Sequence, residues 1–175
     1  MTQLLVAIGD RPRRIDVDGR GKPVIRGASA PHISISHTRS TIAVAASTVG
    51  PVGIDVEYRD PDRDLNRLAA AAFGIAERRA VVAHGASAFY RIWTLREAIS
   101  KATGDGMAFV TDGVDRVPIA VADGILVATG DGWLVAHHTL QPELSLALAV
   151  RAPIGPITAA LQALGLAGLR LDVPA

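Results

Sequence analysis

Short segments with alternating apolar and polar residues flank a central stretch with a longer period. Three early segments alternate with a period of two, as strands do: 32–37, 41–47 and 52–57. Residues 62–103 instead carry apolar side chains every three to four positions, which indicates helices broken near Gly74 and stopped at Gly104. Strand-like segments then follow at 117–121, 125–129, 133–139 and 144–151. The pattern predicts an α+β fold with antiparallel sheets packed against helices.

The composition is typical of a folded domain and does not favour nucleic-acid binding. The chain has 175 residues, of which 49% are hydrophobic and 20% charged, as expected for one domain or two small subdomains that share a core. The formal net charge is +1. Nucleic-acid binding usually requires a concentrated basic face, so we expect no nucleic-acid partner.

The chain contains no cysteine, which excludes disulfides, thiolate metal sites and cysteine nucleophiles. The apolar run at 4–8 is too short for a signal peptide, and no segment reaches the length of a membrane span. We therefore expect a soluble, cytoplasmic protein. An amphipathic segment at 157–169 is expected to form a helix that covers a sheet.

Lysine is scarce in this chain. Of 18 basic residues, only Lys22 and Lys101 are lysines, and the others are arginines. A compositional bias towards arginine would explain this, with two lysines left by chance. Retention of lysine for a function at these two positions is the alternative.

Three carboxylates form a candidate metal site. Asp55 and Glu57 share one strand face because their spacing is two, and Glu97 joins them if the helix crosses that strand. Mg²⁺ prefers hard oxygen ligands and keeps waters or phosphates in its shell, so two or three carboxylates can hold it. A solvated strand face is the ordinary alternative for an Asp-x-Glu pair.

Glu97 and Lys101 are four residues apart on the predicted helix. They fit an exposed helix pair, which would contribute a few tenths of a kcal/mol. They also fit a division of work in which Glu97 binds metal and Lys101 binds a phosphate oxygen. The spacing does not choose between the two interpretations.

Three stretches stand out in order: GKP at 21–23 with ISISHT at 33–38, then VGIDVE at 52–57, then FYRIWTLREAISK at 89–101. Together they resemble the surfactin-synthetase-activating, pseudodimeric type of 4′-phosphopantetheinyl transferase. GKP at 21–23 and ISISHT at 33–38 are similar to the GKP and (N)xSHS elements of that family. VGIDVE at 52–57 matches its (V/I)G(I/V)D(V/I)E, and FYRIWTLREAISK at 89–101 is similar to its (F/W)xxxWxxKEAxxK. Both lysines of the chain fall at motif positions, which favours retention of lysine for a function over chance.

The resemblance implies a metal site and an acid–base group. Asp55, Glu57 and Glu97 would bind Mg²⁺ or Mn²⁺, and Glu97 or a metal-bound water would accept the proton of the acceptor serine. Lys101 would act as a second catalytic residue beside the diphosphate, helping the leaving group to depart.

The resemblance also implies a coenzyme A site. Lys22, Ser36 and His37 would bind phosphates of coenzyme A. Arg96 stands where the family usually has lysine; it keeps the charge but presents a planar fork, and it is expected among the coenzyme-binding residues.

The implied fold is a pseudodimer of two similar α+β halves, here a shortened first half at 1–50 and a second half at 51–175 that carries the metal site. The implied reaction transfers 4′-phosphopantetheine from coenzyme A to a serine of an acyl, polyketide or peptidyl carrier protein, releasing adenosine 3′,5′-bisphosphate. A non-catalytic binding module with this fold and a metal-dependent hydrolase of a coenzyme-like diphosphate are the alternatives. We expect a monomer or a homodimer that does not associate with membranes.

Overall fold

A computed structural model describes residues 6–7, 12–119, 121, 123–124, 126–129, 132–151 and 171–172. Its strands and helices form two main antiparallel sheets with helices packed on one of them. This confirms the α+β class predicted from the sequence. Among the helices of the described ranges, none combines the length and apolar character that a membrane span needs.

The first main sheet has four strands in chain order. They are β3 (Ile15–Val17), β4 (Pro23–Ile25), β5 (His32–Thr38) and β6 (Thr41–Ser47), each antiparallel to the next. Two short strands, β1 (Val6–Ala7) and β2 (Pro12–Arg13), pair separately before it. The predicted hairpin over 32–47 is confirmed.

The second main sheet has five strands in the order β11-β8-β9-β10-β7. These are β7 (Val52–Tyr58), β8 (Leu126–Ala128), β9 (Trp133–Gln141), β10 (Leu144–Arg151) and β11 (Leu171–Asp172). All neighbours are antiparallel except β11 and β8. The earliest strand of this sheet, β7, pairs with β10 rather than with a strand next to it in the chain.

Along the chain, the helices lie between strands β7 and β8 of the second sheet. They are α1 (Leu65–Ala72), α2 (Ile75–Thr103) and α3 (Met107–Val110). The break expected near Gly74 lies between α1 and α2, and α2 ends at Gly104, whose φ of 84° is readily adopted by glycine. Within α2 the backbone departs from helical geometry at Gly85, whose φ is 58°.

The C-terminal part of α2 packs on the second sheet. Its buried residues Phe89, Ile92, Leu95 and Ala98 form the main core with residues of β9 and β10. The strand expected at 117–121 is not formed by the described residues there, although Val117 and Val121 are buried in this core. Most of segment 4–8 and all of 157–169 lie outside the described residues.

Hydroxyl groups join the two main sheets. In the second sheet β7 is an edge strand, and its outward backbone N–H groups would otherwise lack partners. Side-chain oxygens of β5 accept from them: Ser34 from Ile54 (3.1 Å), Ser36 from Val56 (3.3 Å) and Thr38 from Tyr58 (3.2 Å). The alternating hydroxyls of β5 therefore cover the edge of the strand that carries the candidate metal ligands.

Candidate active site

Strand β7 presents its two acidic residues to helix α2. Gly53, Asp55 and Glu57 share one face by alternation, and at Gly53 the strand touches the helix. A Cβ built at Gly53 would come within 1.8 Å of the Ala98 carbonyl oxygen. Since Ala98 follows Glu97 directly in α2, this close approach brings the acidic face of β7 beside the helical part of the predicted site.

Asp55 is buried and receives two hydrogen bonds on a single oxygen. Its Oδ1 accepts from Ser36 Oγ at 2.8 Å and from Lys101 Nζ at 2.6 Å. Its Oδ2 is also buried and has no hydrogen-bond partner within the described part of the chain. A buried carboxylate oxygen without a donor is costly, so this atom is suited to a cation.

Ser36 lies at the centre of this group of contacts. Besides donating to Asp55, its oxygen accepts from Lys101 Nζ at 2.9 Å and from the Val56 backbone N–H. A serine hydroxyl offers one donor and two acceptor positions, so these three bonds fill its capacity. The side chain expected to bind a coenzyme phosphate is instead committed to Asp55 and Lys101.

Burial and mutual repulsion raise the pKa of Glu57 and of Glu97. For each carboxyl group burial is the larger cause and the charge of Asp55 the next, while the Lys101 ammonium lowers the pKa of both. Glu57 and Glu97 therefore belong to the same electrostatic group as Asp55. Asp55 and Lys101 thus lie near enough to both glutamates to affect their ionisation.

A cleft of about 280 Å³ opens beside this group. It is lined by Lys22, Ser34, Glu97 and Lys101, together with residues of the β3–β4 turn and of the chain after α2. The Lys22 ammonium donates to the Ala102 carbonyl oxygen at the end of α2, and burial lowers its pKa. Both lysines of the chain thus lie along the same cleft.

The donor set fits a divalent cation by its chemistry. Asp55 raises the pKa of both Glu57 and Glu97, and its own Oδ2 is buried without a donor in the described ranges, so a nearby positive charge would stabilise the ionised form of this group. Their side chains, as they stand, do not form a ready-made cluster: within the described ranges, no three His, Cys, Asp or Glu side chains are grouped closely enough to hold a metal. Glu57 and Glu97 are only partly buried and can change rotamer.

Arg96 is placed differently from the expectation. Its side chain is fully buried, and its five N–H donors are all used. The acceptors are Glu77 Oε2, Asp112 Oδ1 and the backbone carbonyl oxygens of Phe109, Val110 and Val114. The structure thus corrects the prediction that Arg96 binds coenzyme A, because no donor is left for a phosphate.

His37 lies apart from Ser36. It is exposed and points to the opposite face of β5, as alternation along a strand requires. A ligand can reach its imidazole, but not through the same contacts as Ser36.

Sequence reasoning missed two residues at this site. Ser34 lines the cleft, and its alternation with Ser36 was the signal that could have found it. The helical spacing of Trp93 with Phe89 predicts a core residue, and the two rings stack with centroids 5.8 Å apart. Trp93 also lowers the pKa of Glu57, so it lies near that carboxyl group, although its buried Nε1 makes no hydrogen bond within the described part of the chain.

The comparisons with known proteins agree on one family. A family model described as the 4′-phosphopantetheinyl transferase superfamily matches residues 51–145. The 4′-phosphopantetheinyl transferase HetI of Nostoc sp. is 34% identical over 102 residues, which cover 54% of this chain and 43% of HetI. AcpT of Salmonella typhi is 36% identical over 100 residues (55% and 52% of the two chains), and AcpT of Escherichia coli K12 is 30% identical over 138 residues (77% and 64%).

This chain spans about half the length of the first two of these relatives. The matched segment contains Asp55, Glu57, Glu97 and Lys101, the residues that the structure gathers beside the cleft. From the match over more than half of its residues, we conclude that the chain belongs to the 4′-phosphopantetheinyl transferase superfamily.

Proposed function

We propose that this protein transfers the 4′-phosphopantetheine group of coenzyme A to a serine of an apo carrier protein and releases adenosine 3′,5′-bisphosphate. The observation that carries the proposal is the ion pair of Asp55 with Lys101 at the edge of one cleft, beside Glu57 and Glu97, whose pKa values the charge of Asp55 raises. These residues lie within the segment matched by the superfamily.

Asp55, Glu57 and Glu97 would hold Mg²⁺ or Mn²⁺. When bound, the cation would neutralise the negative charge that grows on the diphosphate during phosphoryl transfer. Asp55 is the best defined of the three, because one of its oxygens is already fixed by Ser36 and Lys101.

Glu97 is the proposed proton acceptor. It lies on the cleft where the carrier serine would enter, so its carboxylate is within reach of the serine proton. The serine oxygen forms a bond to the phosphorus that bears pantetheine, while the bond from that phosphorus to the bridging oxygen breaks. The serine proton passes to Glu97, and the electron pair leaves with adenosine 3′,5′-bisphosphate.

The lysines would serve the anionic part of coenzyme A. Lys101 would stabilise the charge on the departing phosphate, and Lys22, further along the cleft, would contact another phosphate. The exposed imidazole of His37 is available to the same substrate from the other face of β5. We expect this reaction in the cytoplasm, with carriers of fatty-acid, polyketide or nonribosomal-peptide synthesis as partners.

Intact-protein mass spectrometry tests the proposal. Purified protein is incubated with coenzyme A, Mg²⁺ and a small panel of apo carrier proteins, and one carrier is expected to gain the mass of a single phosphopantetheine. Excess EDTA should abolish the gain. Cleavage of coenzyme A without a carrier would indicate a hydrolase, and unmodified carriers with intact coenzyme A would favour a binding module.

Two substitutions test the assignment of the carboxylates. Asp55→Asn and Glu97→Gln keep the side-chain shape but remove the charge, and each is expected to lower turnover by at least about 100-fold. Asp123→Asn is the control, because Asp123 contacts His137 and Thr139 instead. A variant with near wild-type turnover would remove that carboxylate from the mechanism.

A further inference from the structure

The two oxygens of Asp55 have different surroundings. Oδ1 accepts from both Ser36 Oγ and Lys101 Nζ, whereas the equally buried Oδ2 has no donor in the described ranges. The carboxylate is therefore held by one oxygen and presents the other. A carboxyl group free to rotate would exchange these two positions.

Ser36 is the residue that fixes this arrangement. Its hydroxyl proton points at Asp55 because its two acceptor positions are occupied by Lys101 Nζ and by the Val56 backbone N–H. The Val56 contact fixes the hydroxyl to the very strand that carries Asp55. With 5% of its surface exposed and its hydrogen bonds complete, Ser36 has no capacity left for a substrate phosphate.

We propose that Ser36 is a positioning residue, which holds the Asp55 carboxylate and the Lys101 ammonium so that Asp55 Oδ2 faces a divalent cation. This inference rests on the proposed function and replaces the coenzyme-binding role expected for Ser36 from the sequence. Outer hydrogen bonds of this kind orient metal-ligating carboxylates, and their loss typically costs about 10–100-fold in metal affinity.

The neighbouring residue Thr38 provides a matched control. It lies two positions along the same strand and accepts from the Tyr58 backbone N–H, as Ser36 does from Val56. Unlike Ser36, it has no hydrogen bond with Asp55 or Lys101 among the described contacts. Thr38→Val and Ser36→Ala therefore remove the same type of link between β5 and β7, and only Ser36→Ala disturbs Asp55.

Metal and coenzyme binding are measured separately in the wild type and both variants. Mn²⁺ affinity is obtained by electron paramagnetic resonance of free Mn²⁺, with and without saturating coenzyme A. Coenzyme A affinity is obtained by calorimetry in EDTA. We expect Ser36→Ala to weaken Mn²⁺ binding about 10-fold or more relative to Thr38→Val, with equal coenzyme A affinities in EDTA.

Three results would overturn the inference. Equal Mn²⁺ affinity in both variants, or no Mn²⁺ binding by the wild type, would remove the positioning role. Weaker coenzyme A binding in EDTA with unchanged Mn²⁺ affinity would make Ser36 a coenzyme ligand after all.

Two further controls keep the test decisive. If Ser36→Ala does not fold, Ser36→Cys keeps the volume with a weak donor and should show the same loss of Mn²⁺ affinity. The carrier assay and the Mn²⁺ measurement can fail independently of each other. If the carriers stay unmodified but Ser36→Ala alone weakens Mn²⁺ binding, the transfer reaction is refuted and the positioning role of Ser36 stands.

Discussion

At the scale of single residues, position in a motif did not determine role. Arg96 precedes Glu97 directly, yet it turns into the protein and binds Glu77 and Asp112, whereas Glu97 faces the cleft. Adjacent helical residues point about 100° apart, so one can be a core residue and the next a site residue. The buried Arg96 holds the chain after α3 against the helix that carries Glu97.

Replacing Arg96 by lysine tests this structural role. Lysine has three donors for the five acceptors of the buried Arg96 side chain, so Arg96→Lys should lower the free energy of unfolding by about 3 kcal/mol. Arg116→Lys is the control, because Arg116 also pairs with Asp112 but is partly exposed, and it should cost less than about 1 kcal/mol. Urea unfolding measures both, and equal small losses would contradict the assigned role.

His137 introduces a pH dependence. Burial lowers its pKa to about 4 from 6.5, with Arg59 and Arg91 adding to the decrease and Asp123 opposing it. The unfolded chain therefore binds more protons between these two pH values. Stability due to the neutral imidazole is complete above pH 6.5 and is lost as the pH falls towards about 4.

Substitution of His137 should flatten this dependence. Between pH 7 and 4.5, titration of His137 should lower the free energy of unfolding of the wild type by an amount on the order of 2 kcal/mol, and His137→Gln should not show this decrease. His138→Gln serves as control, because His138 approaches the same Asp123 but is exposed. If both variants keep the wild-type pH profile of urea unfolding, His137 is not the responsible group.

At the scale of elements, the contact between β7 and α2 assembles the site. Gly53 allows the strand to approach the helix backbone, and β5 covers the other edge of the same strand with three hydroxyls. A strand interior usually contains glycine where another backbone comes close. The glycine in VGIDVE is thus explained by packing, independently of any chemistry.

Adding a methyl group at Gly53 should separate these elements. Gly53→Ala would place Cβ 1.8 Å from the Ala98 carbonyl oxygen and 2.7 Å from the Ala102 nitrogen, so the helix must shift. We expect a loss of about 3 kcal/mol in the free energy of unfolding, with weaker Mn²⁺ binding. Gly19→Ala meets nothing within 4 Å and is the control; a Gly53→Ala variant as stable as Gly19→Ala would exclude the close contact.

At the scale of the whole molecule, the first sheet leaves an apolar strand uncovered. In β6, at the end of that sheet, Ile42 is 65% and Val44 39% exposed. Edge strands with apolar side chains tend to associate, and a two-fold dimer needs only one self-complementary patch. The alternative expected from the sequence is that segment 157–169 covers a sheet, and those residues lie outside the described ranges.

Light scattering at micromolar concentration tests self-association through β6. We expect a dimer mass for the wild type and a monomer mass for the double substitution Ile42→Lys with Val44→Lys. Val82→Lys, at an apolar position 81% exposed on α2, should remain a dimer. A monomeric wild type would show that this face does not mediate association.

Much of the fold and of the candidate site was predictable, because it follows from patterns of residues that are close together in the sequence. Alternation located β5, β6 and β7, glycines located the breaks at Gly74 and Gly104, and the spacing of Asp55 and Glu57 put both on one face. The chemistry of carboxylates then indicated a hard cation. The assignment of Glu97 and Lys101 to the same place required the additional assumption that the helix crosses β7.

The sequence by itself determined the α+β class, the run of strands β5, β6 and β7 followed by helices, and the family, since periodicity and short motifs depend only on neighbouring residues. Tertiary structure alone decided which polar side chains are free. Ser36 and Arg96 spend all their hydrogen bonds on partners distant in the chain, whereas Asp55 Oδ2 is left without a donor in the described ranges. Such long-range contacts have no local signature, because they arise only when separate elements pack together.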